Sequence, residues 1–73
     1  MTMEGPMLCK LMETSYHAAR DLLLEAAREM DEAGSAARQG NPTLARGIAL
    51  GAEADLLKAV DLVKAVGALQ RLG

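Results

Sequence analysis

Few side chains in this 73-residue chain could do chemistry, and they cluster near one end. Cys9, Glu13, His17 and Asp21 stand four apart, which places them on one slanted ridge if the segment is helical. All four residue types ligate metal ions. At 3.6 residues per turn the ridge drifts by about 40° per step. Only two or three of the four can therefore converge unless another helix adds ligands. The Glu-x-x-His pattern of di-iron bundles is absent, because the spacing here is Glu-x-x-x-His. A metal- or cofactor-binding bundle is thus one alternative. The simpler expectation is an exposed face with His17 and Asp21 as a weak helical pair.

The other polar candidates point to packing. Ser15 and His17 are two apart, so on a helix they face away from each other and form no dyad. A glycine-rich phosphate loop after a strand, a zinc-ligand pair and a nucleophile elbow are all missing. The sequence predicts no enzyme and no cofactor. Asp55 falls in the angular sector of Ile48, Leu62 and Val66, near the middle of an apolar arc. A carboxylate buried there needs hydrogen bonds or a cation. It can set register between helices or subunits, stay partly exposed, or serve a ligand. Gly47 and Gly51 lie one turn apart, each costing about 1 kcal/mol against Ala in a helix interior. They predict close helix packing, opposite Gly34 and Ala37, or a docking groove for a partner helix.

The elements that must carry these residues are helices. Ala supplies 14 residues and Leu 12, while Val, Ile and Thr together supply only seven. That balance favours helix and leaves little material for a sheet. Tyr16 is the only aromatic, so the core must be built from small contacts or completed by a second copy. Gly40-Asn41-Pro42-Thr43 is the clearest break. Gly40 can end a helix in the left-handed conformation, and Asn41 or Thr43 can cap the next one. The expected organisation is a leader at 1–6, helix 1 over about 7–39, a turn at 40–43 and helix 2 over about 42–71. Gly34-Ser35 is a possible break in helix 1. The fold class is all-α, an antiparallel two-helix hairpin that would complete a four-helix bundle by dimerisation.

The apolar pattern points to partners. On helix 1, Met12, Tyr16, Ala19, Leu23, Ala26, Met30, Ala33 and Ala37 alternate four and three apart, a sustained heptad seam. The opposite face carries charges, with Glu25, Arg28, Asp31 and Glu32 laced at helical spacings. On helix 2 the apolar arc spans about 180°, through Ile48, Ala52, Leu56, Leu62, Val63, Val66 and Leu69. One neighbouring helix cannot cover so wide a surface. The expected interface therefore comprises Met12, Tyr16, Leu23, Met30, Ile48, Ala52, Asp55, Leu56, Leu62, Val63, Val66 and Leu69.

Ten acidic residues outnumber eight basic ones, and the basic residues do not cluster. Nucleic acid is an unsuitable partner for such a surface. No uncharged run approaches the roughly 18 residues of a membrane span. Cys9 is the single cysteine, so no intrachain disulfide can form, and a reducing cytoplasmic setting fits. The expected function is a non-enzymatic self-assembly module. The alternatives are a small chaperone or adaptor that receives a partner's amphipathic helix, as in export-system hairpin chaperones, and an artificial helical bundle. Three glycines inside helix 2, Gly47, Gly51 and Gly67, argue against a fully idealised design.

Overall fold

The computed structural model describes residues 5–72. Two long helices make up the described chain, α1 (Pro6–Arg38) and α2 (Pro42–Leu72). They pack against each other as an antiparallel hairpin, the all-α architecture expected from the Ala and Leu content. Part of the leader, residues 1–4, lies outside the described residues. Gly5 and Pro6 belong instead to the start of α1. Gly5 has φ +81° and Pro6 takes the first helical position, where its missing N–H costs nothing. No break occurs at Gly34-Ser35, and α1 runs through both residues.

The turn follows from three residues. Gly40 adopts φ +82°, a conformation that only glycine takes without strain. The Gly40 N–H donates to the Ala37 carbonyl and the Asn41 N–H to the Ala36 carbonyl, both at 3.0 Å. This pair of bonds closes the last turn of α1 in a Schellman motif. Asn41 then caps α2, its Oδ1 accepting the Leu44 N–H at 3.1 Å. With only three residues between the helices, α2 must fold directly back along α1.

The core is a ladder of alanines. Ala19, Ala26 and Ala33 are buried on α1, and Ala52, Ala59 and Val66 are buried on α2. Each set repeats every seven residues, the period that keeps one stripe of a helix against its neighbour. In the antiparallel course, Ala33 stands level with Ala52, Ala26 with Ala59, and Ala19 with Val66. Ala36 completes the buried set next to the turn.

The expected helix 1 seam is correct in one half and rotated in the other. Its Met12, Ala19, Ala26 and Ala33 stripe faces α2. Tyr16, Leu23, Met30 and Ala37, the other half, are exposed. Their place at the hairpin contact is taken by Ser15, Leu22, Glu29 and Ala36, one position earlier in each repeat. An alanine stripe lets two backbones approach closely, and the bulky residues beside it are displaced to the flank. The close approach is made by alanine and not by glycine. A side chain at Gly47 or Gly34 would meet nothing within 4 Å, so the hairpin contains no contact between those two glycines.

The molecule is a thin rod. Its Cα extents are 59 × 16 × 10 Å and its radius of gyration is 16.7 Å. A compact chain of this length has a radius of gyration of only about 11 Å. No helix among the described residues is long and apolar enough to cross a membrane.

Candidate interaction face

The heptad geometry gives the rod two unlike broad faces. Residues seven apart share a stripe, so Tyr16, Leu23 and Met30 line one flank of the seam on α1. In an antiparallel pair the matching flank of α2 carries Ala49, Leu56 and Val63. Leu23 and Val63 meet there across an open cleft of about 220 Å³, whose other walls are Ala59, Val60 and Lys64. Tyr16, Leu23, Met30, Leu56 and Val63 remain 37–49% exposed. The opposite broad face is mainly polar or small, with Ala18, Glu25 and Glu32 on α1 and Gly51, Lys58 and Ala65 on α2, and an exposed leucine towards each end of the rod, Leu11 and Leu44. Arg28 bridges the two acids there, pairing with Glu25 and, at 3.1 Å, with Glu32. Hydrogen bonding to Glu25, with the charges of Glu25 and Glu32, pushes the Arg28 guanidinium above its ordinary value.

The structure divides the expected interface residues into three groups. Ala52 and Val66 are spent inside the hairpin and buried. Met12, Ile48, Asp55 and Leu62 are half-buried at its edge, while Tyr16, Leu23, Met30, Leu56, Val63 and Leu69 are exposed. Gly47 is exposed and uncontacted. Gly51 faces one side chain only, the Glu29 Oε2 lying 3.5 Å from where a Cβ would stand.

Glu29 is the residue that sequence reasoning missed. It sits in the seam stripe of Ser15, Leu22 and Ala36, between the Ala26 and Ala33 rungs. Its Oε1 is buried with no hydrogen-bond partner. Across the seam stands Asp55, the carboxylate singled out in the apolar arc of helix 2. A hydrogen bond with Asp55, followed by burial and the Asp55 charge, pushes the Glu29 carboxyl above its ordinary value of 4.5. The signal was available in the sequence, because Glu29 is seven residues from both Leu22 and Ala36. It was hidden by the charged run around it.

The ridge of Cys9, Glu13, His17 and Asp21 is exposed along its length. Glu13 pairs with Lys10 at 3.4 Å and Asp21 with Arg20 at 2.9 Å, so Asp21 is engaged by Arg20 and not by His17. Among the described residues, no three His, Cys, Asp or Glu side chains come together as a metal site. Cys9 is an exposed free thiol.

Comparison with known proteins adds no family: no family model matches the chain, and neither the curated proteins nor the solved structures give a match.

Proposed function

We propose that this chain is a non-enzymatic self-assembly module, and that two hairpins bury their apolar faces against each other to make a four-helix bundle. One observation carries the reading, the unpartnered stripe of Tyr16, Leu23, Met30, Leu56 and Val63. The stripe runs along a rod 59 Å long and 16 Å wide, an extended surface for a second hairpin to lie against. The difference between the faces also favours a closed pair over an open stack. Burying the Glu25–Arg28–Glu32 side would cost desolvation of its charges, so the apolar side is the one offered to a second copy. The lone thiol suits a reducing compartment, and the cytoplasm is the proposed setting.

Sedimentation at micromolar concentration tests the reading, with a dimer as the expected species. Replacing Leu23 and Val63 together by Lys places like charges in the centre of the buried face. The expected result is a monomer that keeps its helical circular dichroism. A wild-type chain that stays monomeric and well folded at these concentrations overturns the proposal.

The cleft between Leu23 and the Ala59–Val60–Val63 wall supports a second reading, a chaperone or adaptor that receives one amphipathic helix of another protein. The two readings differ in the isolated chain. A receiver is monomeric alone and gains stability when its partner is added, whereas a self-assembling hairpin is saturated by its own copy.

A further inference from the structure

The Glu29–Asp55 pair lies on the polar side of the seam, away from the apolar face, and nothing in self-assembly uses it. The two acids come from different helices and hold corresponding seam positions, three residues after Ala26 and three after Ala52, and both are half-buried. Glu29 Oε1 is buried and orphaned, while its other oxygen lies over the bare backbone of Gly51. The charged groups around the pair do not neutralise it. On α1, Glu25 and Glu32 are further acids, and Arg28 is already engaged by both of them. On α2, Lys58 is one turn away and forms no ion pair within 4.0 Å of either carboxylate. We propose that Glu29 and Asp55 form an acid-strengthened latch, in which one shared proton ties α1 to α2 and its loss sets two like charges against each other across the seam.

The chemistry balances without any added group. When protonated, the Glu29 carboxyl donates its hydrogen to the Asp55 carboxylate, a charge-assisted bond of the stronger kind. When that proton leaves to water, both groups are acceptors and neither has a donor to face. Hydrogen bonding to Asp55 already raises the affinity of Glu29 for its proton in the folded hairpin. The folded chain then binds more protons than the unfolded one, so the contribution is complete below 4.5 and is lost as pH rises through the raised value. Arg28, Lys10 and Arg20 hold surface carboxylates of their own elsewhere on the hairpin. The latch is therefore read as a difference between variants and not from the wild-type curve alone.

The experiment follows thermal unfolding of the full chain by circular dichroism between about pH 4 and pH 7, for wild type, Glu29→Gln and Asp55→Asn, with the species in solution weighed at each pH. The Gln variant is expected to melt higher than wild type at neutral pH, with the gap closing or reversing as the solution is acidified. Carbon NMR of the Glu29 carboxyl is expected to titrate above the ordinary glutamate range in wild type and to fall back towards it in Asp55→Asn. A Gln variant that melts lower than wild type at neutral pH, or a Glu29 titration unmoved by Asp55→Asn, overturns the latch. Both readouts lie within one hairpin, so a monomeric chain that still shows them separates failure of the dimer from failure of the latch.

Discussion

At the scale of single residues, the hairpin depends on what is small. Ala26 and Ala59 face each other with 2% and 3% of their surface exposed, leaving no space for a longer side chain. Ala26→Leu is expected to cost about 1–3 kcal/mol by overpacking. Ala18→Leu, on the exposed polar flank, should stay within about 0.5 kcal/mol of wild type. Urea unfolding of the two variants measures the contrast, and equal effects would mean that the ladder is not the contact. Asp55 was visible in the sequence because it interrupts a clean apolar arc. Glu29 was not, because an acid among Glu25, Arg28, Asp31 and Glu32 resembles one more solvated charge. Only the position of α2 shows which member of that run turns inward. The same holds for Leu22 and Leu23. They are neighbours of equal hydrophobicity, and which one meets α2 depends on a rotation of the helix that composition does not record.

At the scale of elements, the sequence is most informative where it breaks. Gly40, Asn41 and Pro42 specify the end of one helix and the start of the next. The observed helix bounds differ from the expected ones by at most one residue, within the usual fraying of helix ends. Asn41→Ala removes the acceptor for the Leu44 N–H and is expected to cost about 1 kcal/mol. Gly40→Ala strains a left-handed position by roughly 1–2 kcal/mol. Gly47→Ala has the opposite sign, because the glycine is helical and a Cβ there meets nothing within 4 Å. It should stabilise the hairpin by about 0.4–1 kcal/mol through the unfolded chain. Denaturant midpoints of these three variants check the set. A destabilised Gly47→Ala would mean that this position is covered in the assembled protein, as the paired-glycine pattern first suggested. Glycines one turn apart signal a close approach, but they do not say to which neighbour. Inside the hairpin Gly47 meets no neighbour, and Gly51 faces only the Glu29 side chain of α1.

At the scale of the whole molecule, the width of the apolar arc was legible and its division was not. A wide arc on helix 2 and a wide stripe on helix 1 implied more surface than one contact covers. The alanine ladder takes a narrow central strip, and Tyr16, Leu23, Met30, Leu56 and Val63 are left together on one flank, while Leu24, Leu50 and Leu57 point outward from the helices. The short turn has a further consequence, in time instead of space. Every interhelix rung lies on one line running from Asn41 to the open end, and each rung closed shortens the loop that remains for the next. The hairpin should therefore fold as a zipper that starts at the turn, with low contact order near its origin and rising sequence separation along its length. Asn41→Ala would then slow folding, whereas Val66→Ala, at the far rung, would chiefly speed unfolding. Stopped-flow chevrons distinguish the two, and a far-end variant that slows folding as much as the turn variant would reverse the order. Rung by rung, the rod should exchange its amide hydrogens fastest at the open end and most slowly near the centre of the ladder.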